Sequence, residues 1–257
     1  MPQQLMNTYL LEEMTWPEIS AAIKNGMRTV IIFTASTEQH GLHLAENTDT
    51  VLAYAEAAAL AEKLGNALVA PVIRPGLSEH HMAMPGSITL RPEVFAGLVQ
   101  DYIAAYVKHG FETIIVTSSH GGNFAALEQI VEAEQEKYPD KNIITACSLK
   151  EMTITLLQAE KMFGLPAGAC GGHACDFETS VMLETAPQYV RMDKAEAGYV
   201  GPVNDEFLRK FFVSGVTAVS ENGVLGDPVA ANAERGRVYL EKLIDLMESA
   251  VRKKLNR

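Results

Sequence analysis

The chain has 257 residues, 47% of them hydrophobic and 21% charged, a length near the upper limit for one hydrophobic core and a composition ordinary for a globular protein. Its 21 Lys and Arg against 32 Asp and Glu leave a formal charge of −11. Such acidity repels phosphate backbones and anionic lipid, which excludes nucleic acid and membrane surfaces as expected partners. Three cysteines, Cys147, Cys170 and Cys175, offer no disulfide framework and point to a reducing compartment. The opening MPQQLMNTYLLEEM lacks a basic segment ahead of an apolar core, so a cytoplasmic protein is expected.

In chain order, Thr15-Trp16-Pro17 starts a helix that Gly26 ends. Thr29 to Ala35, TVIIFTA, reads as a strand covered on both faces. Val51 to Leu64, alanine-rich and stopped by Gly65, is a helix, and Ala67 to Val72 the second strand. Pro92 to His109 repeats the logic, with Val94, Leu98, Tyr102 and Ala105 at helical spacing before Gly110. Thr113 to Thr117 is a strand, Phe124 to Lys137 a helix and Asn142 to Cys147 a fourth strand. This alternation predicts an α/β fold with a mostly parallel sheet and right-handed crossovers. Gly- and Pro-bearing connections occupy 164–172 and 186–202, a long helix begins near Ala230, and nothing divides residues 1–257 into more than one domain.

Ligands of open α/β sheets bind beyond the carboxyl ends of the strands. Thr37 to Asp49, TEQHGLHLAENTD, starts two residues past such an end. Glu38 and His40 are two apart and share a side in extended backbone, and Asp49 can fold back towards them. His120, with Gly121-Gly122-Asn123, follows the third strand and can complete a site with Glu38 and Asp49, while His40 and Asp49 start a second. Mixed nitrogen and oxygen ligation with few protein ligands leaves positions for water and substrate, as catalytic zinc or manganese requires. A third cluster, Gly171 to Ser180, adds His173 as a proton shuttle and Glu178 as a further ligand.

Other readings compete at several positions. Glu178 is also a favoured first-turn helix residue. His43 either approaches a metal's surroundings or bonds its own loop, and Asn123 caps a helix. Cys170, His173 and Cys175 are too compressed for a separate zinc knot, which leaves Cys175 as a small buried residue.

Together, E-x-H-G-x-H-L…T-D at Glu38 to Asp49, HGGN at His120 to Asn123 and H-A-x-x-x-E-T-S at His173 to Ser180 resemble the creatininase (creatinine amidohydrolase) family. Pro75 to Leu90 is similar to that family's pocket loop. The resemblance implies a three-layer α/β sandwich and a metal-dependent hydrolase, commonly a homohexamer, that acts on small cyclic amides or related carbon–nitrogen compounds. It places metal ligands at Glu38, His40, Asp49 and His120, with two divalent ions, zinc or manganese and alternatively iron. It also places a substrate contact at His81, with His80 facing solvent or a subunit contact because adjacent residues of an extended segment face opposite ways; Ser78 either touches substrate or is a turn hydroxyl that bonds backbone. Two departures stand out. The creatinine-cleaving pattern has a glutamate ligand where this chain has Gly122, so Glu178 is the substitute, and the tryptophans that cover creatinine are missing, since Trp16 is the only one. Creatinine is therefore not the expected substrate. Related branches of the family act on a formamide, clip a peptide or open an oxidised inositol ring at a carbon–carbon bond, and these, with metal-dependent binding without turnover, are the alternatives.

Overall fold

The computed structural model describes residues 8–256. Residues 1–7, on which part of the N-terminal reading rests, lie outside the described residues. Four strands, β1 (Thr29–Thr34), β2 (Ala67–Val69), β3 (Thr113–Ser118) and β4 (Asn142–Thr145), form one parallel sheet in the order β2-β1-β3-β4. Helices α1 (Trp16–Lys24), α2 (Thr48–Leu64), α3 (Pro92–His109) and α4 (Phe124–Lys137) are the connections that the alternation predicted.

The sheet is buried on both faces, and strand periodicity distributes its side chains. Val30 and Ile32 of β1 pack with Phe95, Val99 and Ile103 of α3 and Leu127 and Ile130 of α4. Ile31 and Phe33 turn the other way, onto Ala53, Ala57 and Leu60 of α2 and Ile244 and Met247 of a long final helix. Three layers result, as expected. Burying side chains of this size stabilises the fold by roughly 1.5–3 kcal/mol each.

The final helix, α8 (Ala233–Leu255), begins three residues later than expected because Asn232 caps it, its Oδ1 accepting the Arg235 N–H at 3.0 Å. Strand β2 ends at Val69 because Pro71 has no N–H to continue the ladder. Beyond it only separate bonds reach β1, from Ala70 N–H to the Ile31 carbonyl (2.9 Å) and from Ile73 N–H to the Phe33 carbonyl (3.0 Å). Strand β4 stops at Thr145, short of the expected Cys147, as the chain turns into the next cap.

Three helices fill the second half. α5 (Leu149–Met162) starts at a capping box in which Ser148 Oγ accepts the Glu151 N–H (3.3 Å) and Glu151 accepts the Ser148 N–H (2.9 Å). α6 (Asp176–Thr185) crosses α8 at Gly236, where a Cβ would stand 2.0 Å from the Ser180 carbonyl oxygen, so only glycine permits the approach. α7 (Asp205–Ser214) starts where Asn204 Oδ1 accepts the Phe207 N–H at 2.9 Å. Among the described residues no helix is long and apolar enough to cross a membrane.

Candidate metal centre

The carboxyl ends of β1 and β3 adjoin in the sheet, and the cluster forms on that rim. Glu38 and His40 leave β1 directly, Asp49 occupies the first turn of α2, His120 stands two residues past β3, and His173 and Glu178 arrive with the start of α6. All six are buried. Asp49 Oδ1 lies 3.1 Å from His40 Nε2, and its Oδ2 lies 3.5 Å from His120 Nδ1. Glu38 Oε1 is 3.1 Å from His120 Nδ1 and 3.6 Å from His173 Nδ1, and Glu178 Oε1 is 3.9 Å from His40 Nε2. Asp49 is thus a helix residue and not part of the returning loop, which turns its carboxylate inward from a rigid element.

Backbone carbonyls, which only accept, fix the imidazole tautomers. His40 Nδ1–H donates to the Glu38 carbonyl (3.0 Å), His120 Nε2–H to the Leu77 carbonyl (3.0 Å) and His173 Nε2–H to the Gln39 carbonyl (2.7 Å). In each neutral ring the other nitrogen then carries a lone pair directed at the carboxylates, as metal-binding histidines are held by their surroundings.

His81 is held the opposite way. Gln39 Oε1 accepts the Gly41 N–H at 2.9 Å, so its amide nitrogen faces His81 and donates to Nδ1 at 2.8 Å. The proton of His81 therefore sits on Nε2, 3.4 Å from Glu38 Oε1, and the ring is a donor.

The electrostatics follow from burial and proximity. Burial pushes Glu38 upward, but the surrounding imidazoles of His120, His81 and His173 overcome it and hold the carboxyl well below its usual range. Burial disfavours the charged form of His40 and His120, yet Asp49, Glu178 and Glu38 raise His40 to about 10, and Glu38 and Asp49 raise His120 to about 9. Burial and neighbouring imidazoles keep His173 well below, and His81 at about 3, so both are neutral. Burial also lifts Glu178 to about 7 and Glu56, two turns along α2 from Asp49, to about 8.

Several sequence-predicted residues sit elsewhere or act differently. Ser78 is fully buried behind His120, paired with the Ser36 hydroxyl and 3.4 Å from His120 Nε2, so it supports the imidazole and does not reach the cavity. His80 is not solvent-facing. The segment Glu79–His81 is a helical turn, not extended chain, so both histidines line one cavity, and His80 stacks on His120 with ring centroids 5.8 Å apart. Asn123 offers no side-chain cap; its Oδ1 accepts the Leu77 N–H (3.0 Å) and its amide donates to Thr34 Oγ1 (3.1 Å), tying the pocket loop to both central strands. His43 bonds neither its own loop nor a carboxylate but the Thr179 hydroxyl of α6, at 2.8 Å.

Gln39 and the Asp176 network were missed. Asp176 accepts from Arg235 Nη2 and from the Tyr239 hydroxyl, both at 2.7 Å, which clamps the start of α6 to α8. Lone glutamine and aspartate residues carry no spacing signal, and their partners lie up to 184 residues away.

A cavity of about 700 Å³ opens from the cluster, with Asp49, His120, His173 and Glu178 at its floor and α5 and α7 as walls. Trp16, 80% exposed, is no part of it.

The donor set suits divalent cations. Glu38 Oε2 and Asp49 Oδ2 are buried with no hydrogen-bond partner among the described residues, and Glu38 Oε1 has only imidazoles beside it, a costly state that a cation between carboxylate and imidazole relieves. Glu38, His40 and Asp49 offer ligand atoms all within 4.8 Å of one another, and so do His40, His173 and Glu178.

The chain is similar to known proteins along most of its length. The "Mycofactocin precursor peptide peptidase" of Mycolicibacterium smegmatis is 33% identical over 82% of this chain and 80% of its own. The "3-dehydro-scyllo-inosose hydrolase" of Thermotoga maritima is 26% identical over 94% of this chain and 82% of its own. A crystal structure of creatinine amidohydrolase, 22% identical, superposes with a TM-score of 0.81 over 97% of this chain and 98% of that one, a likeness of fold. The family model for creatininase, described as creatinine amidohydrolase, matches residues 12–251, and on that match the chain belongs to the creatininase family.

Proposed function

We propose that the chain is a metal-dependent hydrolase that cleaves a carbon–nitrogen bond of a small amide substrate. One divalent ion, zinc or manganese, would be held by Glu38, Asp49 and His120, and a second by His40, Asp49 and Glu178. The observation that carries this reading is Asp49, whose two oxygens face two different imidazoles, as a carboxylate shared between two ions must. Ions held there supply a water acidic enough to attack at neutral pH and an electrophile for the substrate carbonyl.

The chain's own residues do the rest. His81, neutral and protonated on Nε2, orients the substrate by donating to an acceptor above Glu38. His173, neutral with a free Nδ1, takes a proton there and returns it to the leaving nitrogen. Buried Glu178 closes the turn that leads into α6, its Oε2 accepting the Ala174 N–H. Ala174, which donates that bond, adopts φ 50°, left-handed backbone that a non-glycine residue occupies at a cost of about 1–3 kcal/mol. We extend the reading to a homohexamer, on family resemblance, and to the cytoplasm, on the three free cysteines.

The test is Asp49→Asn, which keeps shape and removes charge. Elemental analysis should find two ions per chain in the parent protein and fewer than one in the variant, with turnover of an amide panel lost. Full metal content in Asp49→Asn would end the assignment. An oxidised inositol in the same panel addresses the carbon–carbon alternative, and binding without product in every metal condition would favour a binding protein.

A further inference from the structure

The cavity above the cluster is built from two helices whose facing sides are apolar. Met152, Leu156 and Leu157 of α5 oppose Phe207, Phe211 and Phe212 of α7. Phe211 adjoins the floor, its ring centroid 4.6 Å from that of His80, which in turn stacks on His120. The space is therefore continuous from the candidate ligands to the mouth. Apart from Asp49, Glu178 and the floor histidines, the lining holds no charged side chain. Its few hydroxyls are spent: Thr153 donates to the Leu149 carbonyl at 2.8 Å and Ser119 to the Asp49 carbonyl at 2.7 Å.

A polyhydroxylated ring or a charged tail placed between these helices would surrender its water without replacement bonds. An aromatic or branched aliphatic group would bury against six apolar side chains. Resting on the hydrolase reading above, we propose that the substrate carries a bulky, neutral, apolar group that lodges between α5 and α7 while its amide meets the floor. Phe207, Phe211 and Phe212 are the aromatic wall that determines this specificity. Leu157 and Phe212, 41% and 55% exposed, stand at the mouth and await that group.

Binding of defined probes tests this. Acetohydroxamate, 4-phenylbutyrohydroxamate and succinic monohydroxamate, with the matching primary amides, are titrated by calorimetry into manganese-loaded and metal-free protein. The phenyl tail should tighten binding about tenfold or more over acetyl in both protein forms, and the carboxylate tail should give no gain. In Phe212→Ser and Leu157→Ser, exposed positions that leave the core intact, the phenyl-to-acetyl ratio should fall at least about threefold. Equal affinity for all tails, or preference for the carboxylate, overturns the proposal. So does a Phe212→Ser protein whose native mass changes while the ratio does not, because that wall would then cover another copy of the chain. Failure of the metal reading is separate: hydroxamates and amides would bind alike in loaded and metal-free protein.

Discussion

His120 Nε2–H donates to the Leu77 carbonyl at 3.0 Å, and that bond turns Nδ1 to within 3.1 Å of Glu38 Oε1. A main-chain oxygen of the pocket loop thus decides which nitrogen the β3 imidazole offers to the carboxylates. Fixed in this way, the ring presents a lone pair when neutral and a proton when no cation is there to take it. The first prediction comes from that competition.

Without metal, His40 and His120 are raised to about 10 and about 9 by the carboxylates beside them, so both carry a proton at pH 7. A divalent cation must displace those protons. With Glu178, raised to about 7 and so about half protonated, added to the two histidines, metal binding at pH 7 should release about two to three protons per chain, and affinity should climb with pH until it levels off near 9 to 10. The raised histidines also contribute stability to the metal-free fold that is complete below about 6.5 and is lost as pH rises through 9 to 10. Calorimetry in buffers of different ionisation enthalpy reads the proton count. Metal binding at pH 7 with no proton release would contradict the cluster's electrostatics.

Gly122 supplies the second. A Cβ there would stand 2.4 Å from His120 Nε2 and 2.6 Å from the Leu77 carbonyl oxygen, in the path of the bond that fixes the tautomer. Gly122→Ala should cost about 1–3 kcal/mol of stability from overpacking and weaken metal binding about tenfold or more. The closeness accounts for why a glutamate ligand at this position, as in the creatinine-cleaving pattern, does not suit this backbone. A Gly122→Ala protein with parental melting temperature and metal affinity would show that the loop yields freely.

The contrast between these residues and others explains what the sequence disclosed. Glu38, His40 and His120 announce themselves because strands with long apolar runs end just before them, and strand ends in a parallel sheet face one rim, while Asp49 comes to that rim with the first turn of α2. The pocket histidines misled because the helical turn over Glu79–His81 has no periodic signal in three residues, so adjacency looked like opposition. α5 and α7 were hidden differently. Each had its cap in plain sight, Ser148 with Glu151 and Asn204, but α7 buries only Phe207 and Phe211, against Val216 and Leu225, and leaves Phe212 and Val213 exposed, which is a short stripe to read in ten residues. Gln39 could not be foreseen, since its meaning lies in His81, 42 residues away.

Gln39 nonetheless makes the third prediction. Its amide donates to His81 Nδ1 at 2.8 Å and to the Gly223 carbonyl at 3.3 Å and stands 2.9 Å from His173 Nε2, so it sets the His81 tautomer and abuts the His173 ring without touching Asp49 or His120. Gln39→Leu leaves His81 free to move its proton to Nδ1, which removes the donor from the face above Glu38. On the proposed role, kcat/KM should fall about 10- to 100-fold, the cost of a lost positioning bond, while metal content stays near two per chain. A metal-depleted Gln39→Leu protein would mean that the residue braces the ligands themselves.

The last concerns Glu56, on α2 and 2% exposed, with Oε2 lacking any hydrogen-bond partner. Burial, with Asp49 and Glu178 adding repulsion, raises its carboxyl to about 8 from the ordinary 4.5 of a glutamate. A raised carboxyl stays protonated in the fold while the unfolded chain ionises, so stability is unaffected below 4.5, declines between 4.5 and 8, and is fully penalised above 8. In metal-free protein Glu56→Gln should therefore match the parent near pH 4 and exceed it at pH 9 by up to about 4 kcal/mol, read as a pH-dependent gap in urea midpoints. Loading with divalent metal should narrow the gap, because cations at Asp49 and Glu178 cancel the repulsion that helps raise Glu56. A gap that is constant with pH would place the cost of Glu56 in packing and not in its charge.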